Sequence, residues 1–98
     1  VKDTTVYEKI FDAVAKVPGA SNPHRVRSRQ VGIMYMIVLD IEVDGETTVS
    51  KAHEIAEEVE KSIKQTVENV YDIVVHVEPA GKCHSVEKFG IDRDTIKE

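Results

Sequence analysis

The chain has 98 residues, a formal net charge of -5 and one cysteine, which bounds it to one domain with no internal disulfide and fits a reducing compartment. The acidic balance argues against nucleic acid or an anionic membrane surface as partner, because both select clustered Lys and Arg. No apolar run approaches the roughly 20 residues of a membrane span, and no signal peptide is visible.

A chain this short buries roughly 60–65% of the surface its unfolded form exposes. That sustains one two-layer core, and dimerisation would add to its stability. The opening Val1 in place of Met is what a fragment of a longer protein, or a processed chain, would show.

The first predicted element is a helix over 5–17. Thr5 and Glu8 make an S/T-x-x-E capping box. Val6, Ile10, Val14 and Val17 recur at helical spacing beside Phe11, and Pro18-Gly19 stops the run. A loop over 19–23 leads to a hairpin of 24–31 and 33–43 about Gly32. Its second arm alternates cleanly. Ile33, Tyr35, Ile37, Leu39, Ile41 and Val43 share one face, and Met34, Met36, Val38, Asp40 and Glu42 share the other.

Asp44-Gly45 signals a turn, and a second helix over 49–67 follows with Thr48 as its N-cap. Ala52, Ile55, Ala56, Val59, Ile63 and Val67 form its apolar stripe. Glu57 with Lys61 and Glu60 with Lys64 are spaced to pair on its exposed face. The third strand is 71–78, with Ile73, Val75 and Val77 on one face and Val74, His76 and Glu78 on the other; Pro79 ends it. Residues 1–79 thus form the domain and 80–98 a polar tail, with at most a short turn near Asp92.

This order gives an α+β fold, an αββαβ two-layer sandwich with two helices on one face of a three-stranded mixed sheet. The helix between the second and third strands makes them parallel through a right-handed crossover.

That topology brings metal-ligand residue types together. A hairpin centred on Gly32 sets His24 opposite Asp40 and Val26 opposite Val38, and directly opposed Cβ atoms lie about 4.5–5.5 Å apart. The parallel third strand delivers His76 and Glu78 to the same end, on the face away from the helices. The second helix starts there too, with His53 in its first turns. For Asp40, an acid in an otherwise apolar strand, structural salt bridging and metal ligation both stand as readings. Imidazole with carboxylate suits Zn²⁺ and other borderline ions, whereas carboxylate-rich sets lean toward Mn²⁺.

Other patterns carry less. Arg25, Arg27 and Arg29 alternate onto one face of the first strand, as a charge-protected edge or a surface for phosphate or an acidic partner. Met34 and Met36 on the helix-free face are candidates for a dimer contact. Cys83-His84 in the tail lacks a second ligand pair, and no nucleophile triad or phosphate loop is evident.

At these residues the chain resembles the cytoplasmic C-terminal domain of the cation diffusion facilitators, membrane exporters of Zn²⁺ and related divalent ions. The matching stretches are His24-Arg25-Val26-Arg27-Ser28-Arg29 before Gly32, then Leu39-Asp40-Ile41-Glu42-Val43. Ala52-His53-Glu54-Ile55-Ala56, His76-Val77-Glu78-Pro79 and the Val17-Pro18-Gly19 helix end complete them. The resemblance covers 5–79 and implies a ferredoxin-like, metallochaperone-like fold and a homodimer on the cytoplasmic side of the membrane, attached to a transmembrane domain of the same chain. It implies regulatory binding of Zn²⁺ or another divalent cation (Mn²⁺, Co²⁺, Cd²⁺) and no enzymatic activity.

Carried over by position, the family's ligands fall on His24, Asp40, His53, His76 and Glu78. Several relatives have His where this chain has Asp40, which bears on metal preference. The rival readings are a free-standing ferredoxin-like metal carrier or small-molecule sensor, and an acylphosphatase-type enzyme using Arg25 or Arg27 with Asn22.

Overall fold

Helix α1 spans Thr4–Ala15 and turns Val6, Tyr7, Ile10, Phe11 and Val14 into the core. The computed structural model describes residues 4–80; Cys83, His84 and the expected turn near Asp92 lie outside them. The helix starts one residue before Thr5, so Thr5 lies inside the first turn and is not the N-cap. It stops two residues short of Val17, where backbone bonds from Lys16 N to Ala13 O and from Val17 N to Val14 O tighten the last turn. Val17 stays buried in that turn. Gly19 follows at φ 94, and a Cβ there would stand 2.9 Å from Ile55 Cδ1. Glycine is therefore what lets this connection press against the second helix.

Strands β1 (Ser21–Val31) and β2 (Met34–Val43) form the antiparallel hairpin. Its turn takes two residues, Gly32 and Ile33, because Val31 pairs with Met34. Gly32 carries the positive φ of 62, as in two-residue hairpins with glycine at the first central position. Ile33, expected on the core face, sits in this turn and is 72% exposed.

Thr48 caps helix α2 (Val49–Thr66), accepting a bond from Lys51 N at 3.1 Å. Ile55, Ala56, Val59 and Ile63 are its buried stripe, as the spacing predicts. Ser62 Oγ donates to Ala13 O at 2.8 Å and ties the end of α1 to α2. Helix α2 crosses over to β3 (Val70–Pro79), which pairs with β2 in parallel. The sheet order is β1-β2-β3, so β2 is central. Both helices pack on the face that carries Ile37, Leu39 and Ile41, all fully buried. No helix among the described residues is long and apolar enough to cross a membrane.

One feature of β1 departs from a regular strand. Arg27 pairs with Val38, and His24 with Asp40. Three steps along β1 thus match two along β2, which is a β-bulge with one extra residue. Arg25 takes a φ of 49 there. The two-residue turn sets Arg27 opposite Val38 and so carries Val26 to the helix side with no exposed surface, and the extra residue returns His24 to the face of Asp40. The expected Val26–Val38 pairing is replaced by Arg27–Val38, and Arg25 turns its guanidinium to Asp40.

Candidate metal centre

Two rows of side chains cross the helix-free face at the end of the sheet where β2 and β3 finish. The first runs His24, Asp40, His76, because Asp40 of the central strand is the register partner of both histidines. The second runs Ser21, Glu42, Glu78. Both follow from one fact of chain geometry. Residues two apart on a strand face the same way, and parallel pairing aligns Asp40 with His76 and Glu42 with Glu78.

His24 is the pivot. A second irregularity of β1, with Asn22 at φ 47, turns the Asn22 carbonyl toward the imidazole. His24 Nδ1 lies 2.7 Å from that oxygen. A carbonyl only accepts, so Nδ1 carries the proton and donates. In the neutral ring Nε2 then presents its lone pair, and Glu78 Oε1 stands 3.1 Å from it. Two acceptors at that separation call for a cation or a proton between or beside them. Fixing the tautomer through the far nitrogen is what backbone carbonyls do for metal-bound histidines.

His24, Glu42 and Glu78 offer ligand atoms that all lie within 4.8 Å of one another. Ligand atoms of one tetrahedral ion stand about 3.4 Å apart at metal–ligand distances of about 2.1 Å. The three side chains must draw closer to share one ion. Asn22 Nδ2 donates to Glu42 Oε2 at 2.8 Å and steadies that carboxylate.

Deeper in the sheet is Asp40, whose side chain has no exposed surface. Its Oδ2 receives Arg25 Nε at 2.7 Å and Nη2 at 2.6 Å. Its Oδ1 is buried without a hydrogen-bond partner among the described residues, although His76 Nδ1 is 3.5 Å away. A buried acceptor left unsatisfied in this way is costly, and it marks a place where a ligand would be welcome. The donor set therefore fits a divalent cation.

Of the expected ligands, His24 and Glu78 cluster with Glu42, and Asp40 and His76 adjoin them, with His24 Nε2 3.9 Å from Asp40 Oδ2 and His76 Nδ1 3.5 Å from Asp40 Oδ1. His53 does not join them within the chain. It is exposed on α2 and pairs with Glu57, Nε2 to Oε2 at 3.3 Å, so Glu57 reaches back to His53 and not forward to Lys61. Sequence reasoning passed over Glu42, although its position on the face of Asp40 was readable. It also passed over Arg25 as a partner of Asp40, for which the alternating residues 24–29 give no signal.

The model of the cytoplasmic domain of cation efflux proteins matches residues 3–80. The cation-efflux pump FieF of Escherichia coli O127:H6 is 32% identical over 83 residues, which are 85% of this chain and 26% of that pump. The chain thus spans about a quarter of that relative's length. Among solved structures, the metal-bound C-terminal domain of the CzcD transporter from Thermotoga maritima superimposes with a TM-score of 0.79. The two are 40% identical over 86% of this chain and 100% of that one. The cytosolic domain of a cation diffusion facilitator family protein gives a TM-score of 0.75 at 40% identity, over 84% of this chain and 100% of that one.

Proposed function

The chain belongs to the family of cytoplasmic domains of cation efflux proteins, and from that premise we propose that it is the regulatory, dimerising, divalent-metal-binding domain of a membrane cation exporter. The observation that carries this reading is His24, locked by the Asn22 carbonyl so that Nε2 meets Glu78 at 3.1 Å. His24, Asp40, His76 and Glu78 are the proposed ligands in one protomer, with Glu42 added by its place in the cluster. His53, exposed and apart from them, is proposed as a ligand that dimerisation brings in. Mixed imidazole and carboxylate donors favour Zn²⁺ or a similar ion over Mn²⁺.

In this role the domain performs no bond-making chemistry and works on the cytoplasmic side of the membrane. Asp40, Glu42 and Glu78 gather negative charge that a second protomer would repel. A cation offsets that charge and draws two protomers into a closed arrangement, which requires that it bind the closed state better than the open one. His24→Ala is expected to weaken Zn²⁺ binding in calorimetry by at least about tenfold. An unchanged affinity would contradict the assignment.

The dimer contact is proposed on the helix-free face, where Met34, Met36 and Val38 remain half-buried in the single chain. Met36 and Val38 line a shallow groove there with Arg27, Ser28 and Arg29. Sedimentation should show a dimer in the presence of Zn²⁺. A monomer at high protein concentration, with and without metal, would rule the contact out.

A further inference from the structure

Arg25 is the extra residue of the β1 bulge, and its backbone sits at a φ of 49, a region that side chains other than glycine, Asn and Asp seldom enter. Without that residue His24 would still face Asp40 in a regular ladder. What the bulge adds is a guanidinium beside His24. Nε and Nη2 both hold Asp40 Oδ2, at 2.7 and 2.6 Å. Nη2 is also 3.8 Å from Glu78 Oε2. The guanidinium therefore stands between two carboxylates that a cation at this site would use.

Arg stays charged at any pH a protein survives. A divalent ion bound alongside it would face a fixed like charge a few ångströms away, in a setting that water screens poorly. It would also compete for lone pairs of Asp40 Oδ2 that already accept two hydrogen bonds. Asp40 is wholly buried, whereas the Arg25 side chain is partly exposed and has a way out to solvent. Of the two partners, it is Arg25 that can leave.

We propose that Arg25 is a tethered counter-cation of the metal site, holding Asp40 and Glu78 in the metal-free domain and yielding them when a divalent cation binds. This rests on the metal-binding reading above and adds to it. Buried Asp40 is never left without a positive partner, because one cation is exchanged for another. The affinity of the site is then lower than its ligands alone would give. The domain responds only above a cation concentration that Arg25 helps to set.

A role in which Arg25 stays put and merely orients Asp40 for the metal makes the opposite prediction. Arg25→Asn separates the two, since Asn tolerates a left-handed φ but brings neither charge nor reach. Calorimetric titration with Zn²⁺ should show the variant binding at least about tenfold more tightly than the parent chain. Equal or weaker binding would overturn the exchange and make Arg25 a positioning residue.

A second measurement needs no variant. The Arg25 Nε–H resonance of the parent chain should move away from its hydrogen-bonded position as Zn²⁺ saturates the site. A resonance that stays in place at saturation would overturn the proposal by itself. If parent, Arg25→Asn and His24→Ala all fail to take up Zn²⁺, the metal reading falls and the exchange with it. Binding by the parent with no gain in the variant removes the exchange alone.

Discussion

Arg25→Met is expected to destabilise the metal-free domain by about 3 kcal/mol, and Asp40→Leu by about 1 kcal/mol or less. The two residues form one ion pair, yet their burial differs. Asp40 has no exposed surface. Removing Arg25 leaves that carboxylate in the sheet with, among the described residues, His76 at 3.5 Å and His24 at 3.9 Å, neither of which replaces two short hydrogen bonds. Removing Asp40 instead frees a guanidinium that can turn toward Glu78 or water, and Leu fills similar volume.

The double variant Arg25→Met/Asp40→Leu should recover most of the loss, as apolar replacements of buried pairs often do. For a domain of this size about 3 kcal/mol corresponds to a fall in Tm of roughly 12–24 °C. Urea denaturation of the two single variants and the double variant closes the cycle. Equal costs for the single variants, or a cost below about 0.5 kcal/mol for Arg25→Met, would show that the pair does not stabilise the fold as its burial implies.

The residues that announced themselves in the sequence are those governed by a single period. Ile37, Leu39 and Ile41 alternate and are buried; Ile55, Val59 and Ile63 recur at helical spacing and are buried. Thr48 caps α2 as its chemistry suggests. The meeting of Asp40 with His76 followed from the crossover helix, because parallel pairing fixes which ends coincide.

The meeting of His24 with Asp40 was also readable, but it rests on two irregularities that offset each other. The turn uses Gly32 and Ile33 where one central residue was expected, and the bulge at Arg25 restores the shifted register. A bulge leaves no trace in residues 24–29, because the added residue is an arginine in a run that already alternates with arginines. Neither the Arg25–Asp40 pair nor the burial of Val26 could be seen without the two-residue turn. His53 shows another limit. Helix phase sets the face a residue takes, and α2 presents His53 to Glu57 and solvent.

Val26 provides the sharpest test of the hairpin register. In a regular hairpin centred on Gly32, Val26 and Val38 face each other on the helix-free side, and a charge at either position would cost a similar amount. With the two-residue turn that sets Arg27 opposite Val38, Val26 lies wholly buried in the core beneath the helices, while Val38 stays half-buried on the other face. An aspartate at 26 would be an unpaired charge in an apolar core with no route to water. Val26→Asp should therefore cost more than about 4 kcal/mol, a value reached by few single substitutions. Against a total stability of roughly 5–15 kcal/mol, that leaves the domain largely or wholly unfolded at 37 °C. Val38→Asp should cost about 1–2 kcal/mol, since its carboxylate can turn outward. Circular dichroism melts of the two variants decide the matter. Similar losses in both, or a larger loss in Val38→Asp, would mean that the hairpin turns on Gly32 alone and that Arg25 is not placed beside Asp40.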